Sequence, residues 1–113
     1  WLTRRDALRS DPSAYRFLDA AQLVKHAFGL VTEAGRINRS PVLVYLYAEP
    51  SRVAASACSA HRAEIEVFSA AVRGARVRFA AVSWSDWLKR FDTTAVSSGV
   101  RAHAEALRCK FEP

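Results

Sequence analysis

The sequence holds no methionine, two cysteines and only four glycines among its 113 residues, and each scarcity closes a class of chemistry. Cys58 and Cys109 are too few for a disulfide framework and lack the paired spacing of a zinc site. They read as two reduced thiols, which makes the cytoplasm the default compartment. With so few glycines there is no P-loop, no G-x-G-x-x-G turn and no G-x-S-x-G elbow. No segment approaches the ~20 apolar residues of a membrane helix. The longest apolar run is VLVYLYA, from Val42 to Ala48. Residues 1–10 carry charge with no apolar block behind them, so no secretory leader is expected. The missing methionine, at position 1 and elsewhere, leads us to expect a processed product or a piece of a longer protein.

Hydrophobic residues make up 50% of the chain and charged ones 25%, a composition that folds, and the length suits one domain with a modest core. Basic residues outnumber acidic ones, 17 to 11, for a formal charge of +6. Only Lys25, Lys89 and Lys110 are lysines, so the excess is arginine, whose planar fork suits phosphate. The arginines are scattered along the chain rather than gathered in a run. The charge therefore favours a polyanionic partner only weakly against an ordinary solvated surface.

Hydrophobic spacing supplies the element order. Residues 1–10 read as the end of a helix or a ragged terminus. Asp11-Pro12 is a helix-start signal. From there Phe17, Ala21, Val24, Phe28 and Val31 form one apolar stripe, with Gly29 and Gly35 marking where the helix weakens and ends. The run at 42–48 predicts a strand covered on both faces, stopped by Pro50. A second helix over 53–73 carries Cys58, His61, Ile65, Phe68 and Val72, with Gly74 at its cap position. Residues 76–84 predict a second strand, with Val77, Phe79, Ala81 and Val82 supplying its apolar content. Ser85-Asp86 then caps a short helix over 87–91, and a last helix follows through Val96, Val100, Ala104, Leu107 and Phe111.

The fold class is thus α/β, built on a parallel βαβ unit, strands 42–48 and 76–83, flanked by helices. Two strands alone make a thin sheet with open edges. Further strands are expected to pair with them, from an upstream segment, a partner or a second copy of this chain.

None of His26, His61 and His103 sits in a nucleophile motif. Cys58 and His61 share one helix face and could hold a metal, but no second pair completes a site, and a core Cys beside a half-buried His accounts for them as well. No metal ligands and no catalytic residues are therefore assigned. On a helical wheel Tyr15, Asp19, Gln22, Lys25, His26 and Gly29 fall opposite the Phe17–Val24–Phe28 stripe. Gln22, Lys25 and His26 could hold a phosphate or orient a water; the alternative is an ordinary solvated face.

Four segments taken together, YRFLDAAQLVKHAFGL (15–30), PVLVYLYAEP (41–50), HRAEIEVF (61–68) and VRFAAVSWSDWL (77–88), resemble the C-terminal half of a restriction-endonuclease-like family of the PD-(D/E)XK superfamily. The resemblance covers roughly residues 11–91. It implies a partial mixed sheet in which the Q-L-V-K-H helix follows a strand bearing acid-x-Lys, and it makes residues 1–113 the C-terminal part of a larger nuclease-like domain. It also implies Mg²⁺, held by an Asp and an Asp/Glu, with a Lys two residues past the second acid. Here Leu23, Trp87 and Arg108 stand two residues before the lysines, so acid-x-Lys is missing and no cofactor is expected for this chain alone. Gln22, Lys25 and His26 remain as site-flanking or nucleic-acid-binding candidates. Glu33, Glu49, Glu64 and Glu66 match no motif position.

The leading expectation is a nuclease-like domain directed at DNA, an Mg²⁺-dependent endonuclease once an upstream segment completes it. The alternative is a non-catalytic interaction or assembly module of the same fold, with Trp84 and Trp87 as anchors and a second copy as one partner. Membrane association is not expected. A thioredoxin-like reading of PVLVYLYAEP fails because Pro50-Ser51-Arg52-Val53 stands where C-x-x-C is required.

Overall fold

The computed structural model of the chain describes residues 1–93 and 97–111. The elements run α1 (Leu2–Ser10), α2 (Ala20–Ile37), β1 (Val42–Tyr47), α3 (Ala55–Ala71), β2 (Arg78–Ser83), α4 (Trp84–Thr93) and α5 (Ser98–Phe111). This is a mixed α/β chain in which β1 and β2 pair directly and in parallel. At the start of the pair the Arg78 N–H donates to the Pro41 carbonyl at 3.1 Å. Two compact units are formed, Trp1–Tyr45 with Ala55–Ala80, and Leu46–Ala54 with Ala81–Pro113. Among the described residues no helix is long and apolar enough to cross a membrane.

The first unit is organised around Phe68, which is fully buried. Its ring meets Trp1 at 5.7 Å, Tyr15 at 5.9 Å and Phe79 at 5.1 Å between centroids, each tilted or edge-on, the geometry aromatic quadrupoles favour. Burying such a side chain stabilises by about 1.5–3 kcal/mol. The Trp1 indole N–H donates to the Val77 carbonyl at 3.1 Å, which ties the start of the chain to the approach of β2. Ile65 and Val72 extend the buried stripe of α3 on either side of Phe68, as the spacing predicts. Gly74, at φ +74°, turns the chain out of that helix in the left-handed region where a Cβ is disfavoured.

The helix start expected at Asp11-Pro12 is not used. The Asp11 carboxylate accepts the Ser13 N–H at 3.0 Å and the Ser13 hydroxyl at 2.7 Å, closing a local turn instead of capping a helix. Residues 11–19 remain irregular, and α2 begins behind Asp19, whose carboxylate accepts the Gln22 N–H at 3.0 Å. Phe17 therefore leaves the predicted stripe and is 42% exposed. The stripe that α2 buries is Ala20, Leu23, Val24, Ala27 and Ala34. Nor does the helix end at Gly35. It runs to Ile37 and closes on Asn38 at φ 51°, because asparagine tolerates the left-handed cap nearly as well as glycine.

The strand prediction for 42–48 also needs correction. Burial alternates along β1, with Leu43, Tyr45 and Tyr47 half-buried and Val42, Val44 and Leu46 exposed at 38%, 57% and 40%. One face is covered and the other is open. The continuous apolar run could not show this, because its open positions are as hydrophobic as its covered ones.

In the second unit Leu88 of α4 is fully buried and Ala104 of α5 nearly so, and the two helices pack together. Arg108 fastens them, donating from Nη2 to the Leu88 carbonyl at 2.7 Å and pairing with Glu105 at 2.9 Å. The cap of α4 is Ser83 rather than Ser85-Asp86: its hydroxyl accepts the Asp86 N–H at 3.0 Å, a side-chain cap two residues earlier than the sequence suggests. Val100, expected to be buried, is 43% exposed. Val96 and the Phe111 side chain lie outside the described residues.

Candidate functional site

Three site residues named from sequence, Gln22, Lys25 and His26, lie on consecutive turns of α2 at i, i+3 and i+4. All three are exposed, opposite the buried Leu23–Val24–Ala27 ridge. The structure thus brings them together on one face. None of their side chains has a hydrogen bond or ion pair among the described residues. Tyr15, expected on the same face, is not on the helix at all: its ring is half-buried against Phe68 and its hydroxyl accepts from Arg4 at 3.4 Å. Asp19 is consumed as the helix cap.

What positions this face is Glu64. From the middle of α3 its carboxylate accepts three successive backbone N–H groups, Arg16 at 2.9 Å and Phe17 and Leu18 at 2.8 Å each. These are the residues that lead into α2, so the clamp fixes where the helix starts and hence where Gln22 points. Burial pushes the Glu64 carboxyl upward. The three donors, with the nearby His61, more than offset that and hold it below the usual carboxylate range. Nothing in the sequence flags Glu64 for this work, since its partners are 46 to 48 residues away. A cleft of about 380 Å³ lies beside the clamp, lined by Leu8, Pro12 and residues 15–21.

His61 is occupied structurally. Its Nε2 lies 3.0 Å from the Tyr45 hydroxyl, with the rings edge-on, so it ties β1 to α3. Cys58 is half-buried and Cys109 exposed, both free thiols. Trp84 and Trp87 are both half-buried and stack on one another at 5.1 Å, and Trp87 meets Phe91 edge-on at 4.9 Å. They form an aromatic ladder along α4.

Among the described residues no three His, Cys, Asp or Glu side chains converge as a metal-binding group, and the sequence has no acid-x-Lys. The described residues therefore do not match the donor set that the family resemblance implies for Mg²⁺. What the α2 face offers is a cation, an imidazole and an amide within one turn, a set suited to contacting a phosphate without cleaving it.

No family model matches the chain, and no curated protein or solved structure matches it either.

Proposed function

We propose that this chain is part of a nuclease-like domain of the PD-(D/E)XK type, directed at DNA, and that the acid-x-Lys strand of that domain is supplied by a segment outside these 113 residues. The observation that carries the reading is the parallel β1–α3–β2 unit with one apolar face open. The sheet has two strands among the described residues, and its exposed Val42, Val44 and Leu46 form an apolar face that a further layer of a larger domain would cover. The four segments that resemble the family fall on α2, β1, α3 and the β2–α4 stretch, in the family's order. The positive charge and the unpaired Lys25–His26 face supply a surface that phosphate would approach.

In this reading Gln22, Lys25 and His26 touch DNA beside the reacting phosphate and the metal-holding strand does the chemistry. Fluorescence anisotropy of a labelled 20-base-pair duplex tests it. The 113-residue chain is expected to bind, more weakly at higher salt, and K25A/H26A to bind less tightly with the same thermal stability. A chain that leaves the duplex unbound at 50 mM salt overturns the reading.

The open face also supports a second reading, an assembly module of the same fold without nuclease activity. It would lack the salt-dependent duplex binding.

A further inference from the structure

Among the described residues a second group of unpaired basic side chains lies at the C-terminal end of α3, where the helix turns into β2. Arg73, Arg76 and Arg78 fall within the hexapeptide RGARVR, and all three are exposed. None has a hydrogen bond or ion pair from its guanidinium among the described residues, whereas Arg5, Arg36 and Arg108 are each paired to a carboxylate.

The backbone explains where each of the three is placed. Gly74, the residue after Arg73, turns the chain toward β2 at φ +74° just past the end of α3. The Arg76 Nη2 lies 3.8 Å from where a side chain on Gly35 would begin, so this guanidinium rests over the last turn of α2. Arg78 is the first residue of β2 and exposed, while Phe79 behind it turns inward to Phe68. The Arg78 N–H is bonded to the Pro41 carbonyl, two residues beyond the exposed Arg39. Arg39, Arg73, Arg76 and Arg78 thus all lie in or just before the starts of the two parallel strands. Arg73 and Arg78 line a single cleft of about 420 Å³ together with Ser69, Val72, Gly74 and Phe79, and no carboxylate lines it.

Neutralising the negative C-terminus of α3 would be the ordinary use of such residues. That use needs a cation in the last turn, and α3 has no basic residue there; Arg73 lies two residues past its end, where its backbone N–H donates to the Ala70 carbonyl at 3.3 Å but its guanidinium makes no bond to the helix carbonyls. Two arginines lining one cleft without a carboxylate raise the positive potential there, and a guanidinium fork matches the oxygens of a phosphate.

We propose that the α3–β2 turn is a phosphate-contact surface, with Arg73, Arg76 and Arg78 binding the sugar–phosphate backbone of duplex DNA away from the Gln22–Lys25–His26 face. This rests on the DNA-directed reading, which it deepens by adding a second, sequence-independent contact that fixes how the duplex lies.

Counterion release gives the test a number. Each phosphate contact contributes about −0.9 to the slope of log K against log salt, so R73Q/R76Q/R78Q is expected to make the slope shallower by about 2 to 3. Between 50 and 200 mM NaCl, the full chain should then lose roughly 40-fold more affinity for a 20-base-pair duplex than the variant does. Because the three side chains are exposed, the variant should unfold at the wild-type temperature, and R73K/R76K/R78K should restore most of the slope. An unchanged slope in a folded variant whose wild type binds the duplex overturns the proposal and leaves the DNA reading intact. A wild type that ignores the duplex but binds heparin or anionic phosphatidylserine vesicles through these arginines overturns both.

Discussion

Glu64 Oε2 stands 2.8 Å from the backbone nitrogen of Phe17, and this bond, with its neighbours to Arg16 and Leu18, decides where α2 begins. A helix usually takes its cap from its own entry residue. Here Asp19 does that, and Glu64 on another helix secures the three residues before it. Replacing Glu64 by Ala leaves three N–H groups without their acceptor. The site is partly open to water, which weakens each bond, so the expected loss is about 1–2 kcal/mol in urea unfolding at pH 7.

The same clamp makes stability depend on pH. The folded carboxyl titrates below its unfolded counterpart. Its contribution is therefore complete above the ordinary glutamate range, near 4.3, and is lost as pH falls through the lower folded value. Wild type should lose stability over that acidic window more steeply than E64Q, with the two curves converging at the acid end. Parallel curves from pH 7 to pH 3 would show that Glu64 contributes no such linkage.

Ser83 holds the N-terminus of α4 through its bond to the Asp86 N–H, and Asp86 answers with a carboxyl held below its usual range by Lys89 first and then by Ser83. S83A is expected to cost about 1 kcal/mol, because a helix cap is lost at a buried position. S85A should cost much less. Thermal unfolding of the two variants side by side separates the observed cap from the one the sequence suggested.

The two faces of β1 make opposite predictions for neighbouring residues. Val44 is 57% exposed, so V44K should change unfolding free energy by no more than about 0.5 kcal/mol. Leu43 is half-buried on the covered face, and L43K should cost about 2 kcal/mol or more by forcing a charge against apolar surface. Equal costs for the two would contradict the alternation of burial along the strand.

Period and punctuation made most of the fold legible. The β1–α3–β2 unit, the Ile65–Phe68–Val72 ridge and the Gly74 turn follow from local spacing, and the structure has them. Local signals misled where a competing bond was invisible. Asp11 had the chemistry of a helix cap but spent it on Ser13, and Gly35 looked like a terminus while Asn38 supplied one. The open face of β1 was hidden because Val42 and Val44 are as apolar as the covered Leu43. For the candidate site, the clustering of Gln22, Lys25 and His26 was readable from a helical wheel. The Glu64 clamp was not, since it is a contact between distant segments. The RGARVR turn was readable as a local basic cluster but was lost in a count of arginines over the whole chain.

On the nuclease-like reading proposed above, the paired strands belong to a larger metal-dependent sheet whose acid-x-Lys strand lies outside this chain. Nicking of supercoiled plasmid, with Mg²⁺ or with EDTA, tests it most directly when the product of the complete reading frame is run beside the 113-residue chain. The account predicts Mg²⁺-dependent nicking by the former and none by the latter. Cutting by the 113-residue chain alone, or a complete product that neither binds nor nicks DNA, would contradict it.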